Sequence, residues 1–360
     1  MEIQKNVPLA PYTTLHVGGV VDYFVKVKSK AELQTAWRAA TQANLRPFIL
    51  GGGSNVLVKD GVLERFVIKI ELTGISYQEG EEGLVLVTAA AGVSWDELVA
   101  ATVGEGLSGL ENLSGIPGTV GAAPVQNINA YGATVSEVIK TVEVFDGEHD
   151  HFRTLQNEAC HFGYRDSIFK QTEHQLKVIT AVTFALKKTS ALNVTYRSSS
   201  QSLERYLKEH TIATPTTADV RQAVLSVRST IGMLASQFRS AGSFFKNTIV
   251  SREVFTIIEE IVGRDFTEVS KQMSPWHWPM PNGEEKIATA FLLECSPYNK
   301  NTYGIQRWNG VVGLSPLHSL SVVTEEGATA SDVTAFVDEV KNAVRNIFAV
   351  DLLTEVDYIS

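Results

Sequence analysis

The chain has 360 residues, 44% of them hydrophobic and 20% charged, enough apolar content for two or three domains with full cores. Its net charge of −9 argues against a broad nucleic-acid-binding surface but leaves room for a local basic pocket. Cys160 and Cys295 stand far apart with no CxxC spacing, so neither a disulfide framework nor a zinc site is indicated, and a reducing cytoplasm is the simplest compartment.

The opening MEIQKNVPLAPY lacks the charged-then-apolar layout of a signal peptide, and no later window has the length of a membrane span, so membrane insertion is not expected. The first third alternates strand and helix signals. Residues 23–27 read as a strand, and 30–44 as a helix with Leu33, Ala36, Trp37 and Ala40 on one face. Residues 47–50 form a short apolar strand that runs directly into Gly51-Gly52-Gly53-Ser54-Asn55. Strand ends are where α/β proteins bind ligands. The loop is not GxGxxG and no helix follows at once, so an ordinary dinucleotide fold is a poor match. Residues 84–90 are another strand, and Ser94 with Glu97 three residues on predicts a capping box.

Residues 112–132 then run for 21 positions without one charged side chain or histidine. Pro117, Pro124, Gly115, Gly118, Gly121 and Gly132 break any helix. Two readings stand: a backbone that approaches a ligand and points N–H groups at phosphate oxygens, or a buried, tightly turned loop. The glycine loop at 51–55 favours the first.

Strands at 141–145 and 152–155 flank the turn Asp146-Gly147, and His149-Asp150-His151 beside it reads as a solvated hairpin rather than a metal site. Residues 177–186 form a longer strand. Residues 197–200 and 211–217 are loop material around a short helix, and 219–230 are helical, with a domain boundary near 231. The last third predicts a helix with Val254, Ile257, Ile258 and Ile261 on one face and a second helix at 287–295. A strand at 319–323 precedes a long amphipathic helix marked by Val333, Phe336, Val337, Val340, Val344 and Ile347, and a strand at 352–359 closes the chain.

Four short segments hold polar groups among apolar neighbours. Arg165 in FGYRDS, by itself, reads as a paired surface or core residue. Ser243 in AGSFFKN is not in GxSxG, so a hydrolase elbow is not supported. Glu355 in TEV reads as a solvent-facing residue of a terminal strand, and Val194-Thr195-Tyr196 as a strand end. As a set, they closely resemble the UDP-N-acetylenolpyruvoylglucosamine reductase (UDP-N-acetylmuramate dehydrogenase) family. The resemblance runs from Tyr12-Thr13-Thr14 through LGGGSN, GLENL, IPGTVGAAPVQNINAYG, GYRDS and GSFFKN to Glu355, nearly the whole chain. Tyr196 resembles the branch with a tyrosine-bearing loop over the substrate.

The resemblance implies a three-domain α+β flavoprotein. Two FAD-binding domains of the vanillyl-alcohol-oxidase/PCMH type would occupy residues 1–75 and 76–231, an α+β substrate domain 232–350, and the tail 351–360 would return to the FAD-binding part. It further implies noncovalent FAD, NADPH as reductant, a UDP-sugar enolpyruvate as substrate, and a cytoplasmic monomer without nucleic-acid partners that serves peptidoglycan precursor synthesis. Cofactor contacts carry over to Tyr12, Thr13, Leu50, Gly51, Gly52, Gly53, Ser54, Asn55, Ile116, Pro117, Gly118, Gly121, Ala122, Gln126, Asn127 and Gly132. Substrate contacts carry over to Tyr131, Tyr196, Arg228, Lys246 and Asn247, and catalytic roles to Ser243, Arg165 and Glu355.

The residue types suit that chemistry. Hydride addition to an enol ether leaves negative charge spread toward the carboxylate, which Arg165 stabilises and which Glu355, protonated or water-bridged, helps polarise. Ser243 is the implied proton donor to the adjacent carbon, with Lys246 a neighbour able to position it. The chain departs from the family at three places. The family's phosphate-contacting Lys is replaced near Ile231, with Arg228 or Arg239 as substitutes. Thr248 stands in place of Pro, and Asp357 in place of Arg. The rival readings are another FAD oxidoreductase of the same fold and a flavin-binding paralogue without turnover.

Overall fold

The computed structural model describes residues 1–171, 176–188, 191–195 and 203–360. A four-stranded sheet runs in the order Ile3–Pro8, Val20–Val27, Val62–Ile70, Pro47–Leu50. Its first pair is antiparallel and the others are parallel. A five-stranded antiparallel sheet follows the order His151–Gln156, Ile139–Asp146, Lys177–Lys187, Leu84–Ala90, Ile75–Glu79. Leu84–Ala90 alternates buried and half-buried residues, the period-2 pattern of a strand with one face on the core.

Ser29 caps the helix Lys30–Gln42 by accepting the Glu32 N–H, and Leu33, Ala36, Trp37 and Ala40 are its buried face. That face and both sheets share one core. Trp37 explains the glycine of the 146–147 turn. Its indole donates to the Gly147 carbonyl at 3.0 Å, its ring meets Phe145 edge-on, and a side chain at Gly147 would overlap the indole.

A second core belongs mainly to residues after 240, with Leu15, Val17 and Leu57 joining it from the N-terminal part. Its spine is the helix Ala330–Phe348, whose buried residues include Val333, Phe336, Val337, Val340 and Val344. Two short antiparallel sheets flank it. One has the order Ser240–Ser243, His318–Thr324, Val312–Ser315, the other Thr248–Val250, Glu285–Ile287, His277–Pro279. Asp60 accepts the N–H groups of Ala330 and Ser331, so a carboxylate from the first part caps the long helix of the second.

Four expectations change. Ser94 precedes the helix Trp95–Gly104 but makes no side-chain cap; its backbone bridges to Thr119 instead. The helix Arg252–Asp265 buries Phe255, Ile258 and Val262, leaving Ile257 55% exposed, because the Phe255 ring packs on Trp276 and His277 and turns the helix about it. Residues 287–295 divide into a strand end at Ile287 and the helix Thr289–Glu294. Of residues 352–359, only Asp357–Ile359 is a strand. Among the described residues, no helix is long and apolar enough to cross a membrane.

Candidate active site

A cleft of about 640 Å³ opens where the glycine loop, the uncharged stretch, the Arg165 turn, the Ser243 strand and the C-terminal tail meet. That is within the roughly 300–1,000 Å³ usual for ligand sites. Leu50, Gly51, Gly52, Gly53, Ser54, Asn55, Ile116, Pro117, Gly121, Ala122 and Gln126 line it. The two glycine segments press against each other. A Cβ on Gly52 would stand 2.7 Å from the Gly118 Cα, and one on Gly121 2.6 Å from the Ala91 Cβ. Gly53 has φ +65°, and a Cβ there would collide with the Tyr12 carbonyl. Only glycine permits this double-walled backbone edge.

The remaining motif residues stand behind the wall and hold it. Tyr12 packs on Phe24, and its carbonyl abuts Gly53. The buried Thr13 hydroxyl donates to the Val17 carbonyl at 2.9 Å. Asn127, with φ +45°, donates to the Gly163 carbonyl and accepts the Ser136 N–H. Thr13, Asn127, Gly118 and Gly132 are not among the cleft-lining residues. Asn55 does line it, yet its amide is also used internally, on Gln126 Oε1 at 3.0 Å and the Glu355 carbonyl at 3.1 Å.

Arg165 sits at the tip of a tight turn closed by Gly163 and Asp166, in the left-handed region at φ +52°. A non-glycine residue rarely adopts that conformation, and its occurrence here marks a side chain held by its surroundings. Ser167 fastens the turn by donating to the Val125 carbonyl at 2.5 Å. Arg165 Nε lies 3.2 Å from Glu355 Oε1, an ion-pair distance, though the N–H is not aligned as a hydrogen bond. Glu355 is 7% exposed, not solvent-facing. Burial pushes its carboxyl above the ordinary value, opposed by Arg165, Lys246 and Lys170 and reinforced by Asp357.

Glu355 is buried because the tail is stitched into both halves. Glu355 N–H donates to the Phe244 carbonyl and Lys246 N–H to the Leu353 carbonyl, while Asp357–Ile359 pairs in parallel with Val56–Val58. Ser243 reaches the cleft through a bulge: Gly242 is at φ +75° and donates to Ser240 Oγ at 2.9 Å, which re-aims the next side chain. Among the described residues, no protein group hydrogen-bonds the Ser243 hydroxyl; the Lys246 charge instead draws the Glu355 carboxyl down.

At another wall of the cleft Arg228 is 7% exposed, with Nη2 on the Met233 carbonyl at 2.8 Å and Nε unpartnered. Tyr131 stands beside its guanidinium. His318 is held neutral, at about 4, by burial and by the charges of Lys300 and Arg228, and its Nδ1 accepts the Leu320 N–H. Arg239 is elsewhere, on a small pocket with Thr14 and His16, so of the two arginines proposed to replace the family lysine only Arg228 lines the cleft. Asn247 accepts the Thr289 N–H at 3.3 Å. Tyr131, Lys246 and Asn247 are not lining residues, and Tyr196 lies outside the described residues.

Other groups escaped the sequence reading. Lys69 donates to the Gly51 carbonyl at 2.5 Å, and Lys170 pairs with Asp357 at 3.4 Å. Arg221 grips Asp96 with two bonds of 2.6 and 2.8 Å, and Asp96 also accepts the Gly115 N–H. Lys69 escaped because only the folded register of the parallel strands Pro47–Leu50 and Val62–Ile70, Leu50 beside Lys69, brings it to the loop.

The glycine-built backbone edge and a cleft of ligand size fit a large anionic cofactor such as FAD. Comparison with known proteins agrees. Residues 21–154 match an FAD binding domain model, and residues 299–359 match the UDP-N-acetylenolpyruvoylglucosamine reductase C-terminal domain. The Thermobifida fusca UDP-N-acetylenolpyruvoylglucosamine reductase is 37% identical over 98% of this chain and 96% of its own length. The Pseudomonas aeruginosa protein of the same name is 32% identical over 99% and 98%. The crystal structure of the Thermus caldophilus reductase superposes with a TM-score of 0.65 at 23% identity over all of both chains, the same fold. With this match along its whole length, the chain belongs to the UDP-N-acetylenolpyruvoylglucosamine reductase family.

Proposed function

We propose that the protein reduces UDP-N-acetylglucosamine enolpyruvate to UDP-N-acetylmuramate with NADPH, through FAD, in peptidoglycan precursor synthesis. The observation that carries this reading is the convergence on one cleft of Arg165, Glu355 and Ser243 with the double glycine wall. FAD, when bound, supplies the hydride chemistry. Leu50 to Asn55 and Ile116 to Gln126 hold it through backbone groups, with Thr13, Asn127 and Lys69 keeping those segments in place. Arg165 holds the substrate carboxylate, where negative charge develops. Glu355, buried beside Arg165 with its carboxyl raised above the ordinary value by burial, helps to polarise that carboxylate. Ser243, whose hydroxyl bonds no protein group among the described residues, delivers a proton to the adjacent carbon. Tyr131, Arg228, Lys246, Asn247 and Tyr196 serve the nucleotide.

In this reading residues 1–75 and 76–231 are the two FAD-binding units, 232–350 bind substrate, and 351–360 return to the first unit. The protein acts as a monomer in the cytoplasm. A steady-state assay tests the reaction: NADPH oxidation must depend on the enolpyruvyl nucleotide and yield the lactyl ether. Oxidation that is indifferent to the nucleotide overturns it.

A further inference from the structure

We propose that Asn112 is a positioning residue that sets affinity for the nucleotide substrate by clamping the Tyr131 hairpin to the segment 191–195. The proposal rests on the function proposed above. Asn112 is 2% exposed, in the short helix Glu111–Leu113 at the head of the uncharged stretch. Its carboxamide spends both N–H donors on carbonyls distant in sequence, Tyr131 and Asn193, each at 2.8 Å. Asn193 completes the circuit. Its Nδ2 donates to the Gly132 carbonyl at 3.1 Å, and its Oδ1 accepts the Thr195 N–H at 3.3 Å.

The clamp therefore holds both residues of a turn whose backbone is left-handed at Tyr131 (φ +47°) and Gly132 (φ +78°). Leu192 and Val194 pack on the cluster of Tyr131, Val220 and Val224, so the same segment is fixed by apolar contact. Tyr131 in turn stands beside Arg228, which reaches the cleft. No Asn112 bond goes to the glycine loop or to the Arg165 turn. Its loss should disturb the Tyr131–Arg228 wall and spare the flavin chemistry. Leaving the buried Tyr131 carbonyl without its donor is costly, and losing the part-buried bond to Asn193 adds to it; a loss of that size corresponds to about tenfold or more in an equilibrium constant.

The test uses the flavin-loaded protein with Asn112→Leu, which keeps the branched shape and removes both donors, together with Asn193→Ala and the double variant. Asn112→Leu is expected to raise KM for the enolpyruvyl nucleotide about tenfold or more. Flavin content and the limiting rate of flavin reduction by NADPH should stay unchanged. The double variant should raise KM by clearly less than the product of the single effects, because both act through one network. An unchanged KM, a joint fall of flavin content and reduction rate, or fully multiplicative effects each overturn the clamp. If Asn112→Leu does not fold, the exposed Asn193→Ala decides alone by the same KM criterion. An unmodified protein that ignores the nucleotide overturns the proposed function and the clamp together; a failed variant in a working enzyme overturns only the clamp.

Discussion

Ser243 is placed so that its removal should divide the reaction in two. Its hydroxyl lines the cleft and bonds no protein group among the described residues, so Ser243→Ala disturbs no internal network. Flavin reduction by NADPH should proceed near its normal rate. Reoxidation by the enolpyruvyl nucleotide should slow by about 10²–10⁴, or roughly 3–5 kcal/mol of barrier. Rapid-mixing absorbance at the flavin band follows each step; equal slowing of both would make Ser243 a structural residue. Arg165→Lys belongs beside it. The ammonium keeps the charge but loses the planar fork that pairs with a carboxylate, so FAD should remain and most reoxidation should vanish. Turnover like that of the unmodified protein would remove Arg165 from the site.

Among elements, the glycine loop and the contact between the helices Trp95–Gly104 and Thr217–Thr230 make separate predictions. Gly53→Ala places a methyl group against the Tyr12 carbonyl at a positive φ, so the purified variant should carry little flavin. Gly263→Ala, inside the helix Arg252–Asp265 with open space around it, should leave flavin content unchanged and stabilise by about 0.5–1 kcal/mol. Thermal unfolding and the flavin-to-protein absorbance ratio distinguish the two cases. The helix contact depends on Asp96. Hydrogen bonds from Arg221, then from Gly115 N–H, hold its carboxyl below the ordinary 3.8 against a burial effect of opposite sign. A depressed folded value means the unfolded chain binds the proton first. The contribution is therefore full above about pH 3.8 and disappears as pH falls through the folded value. Asp96→Asn should lose stability at neutral pH and converge with the unmodified protein in acid. A constant gap across that range would show that Asp96 acts by packing alone.

For the whole molecule, the cleft exists because distant parts of the chain meet: Asn55 bonds the carbonyl of Glu355, 300 residues on, and Asp60 caps the helix that begins at Ala330. No His or Cys occurs within 51–55 or 112–132, so the flavin should be held without a covalent bond and pass wholly into the supernatant on acid precipitation. Colour kept in the pellet would contradict this. The sequence by itself determined what depends on neighbours in the chain. Alternation in 84–90 and the face of Leu33, Ala36, Trp37 and Ala40 are local constraints that point to the same elements, whereas the glycines meet neighbours distant in the chain. The motif set also singled out Arg165, Ser243 and Glu355, which the fold brings to one cleft. Tertiary structure decided what depends on which surface a residue meets. Glu355 looks like an exposed strand residue until Phe244 and Val56 are seen to pair with the tail on either side. The side chains of Thr13 and Asn127 find their partners on the protein backbone, on Val17, Gly163 and Ser136. Phe255 rather than Ile257 faces the second core because Trp276 is there to receive it. A side chain's type states which partners it can accept; only the folded chain supplies them, since a buried charge or amide is tolerable only where distant segments bring the opposite group within bonding distance.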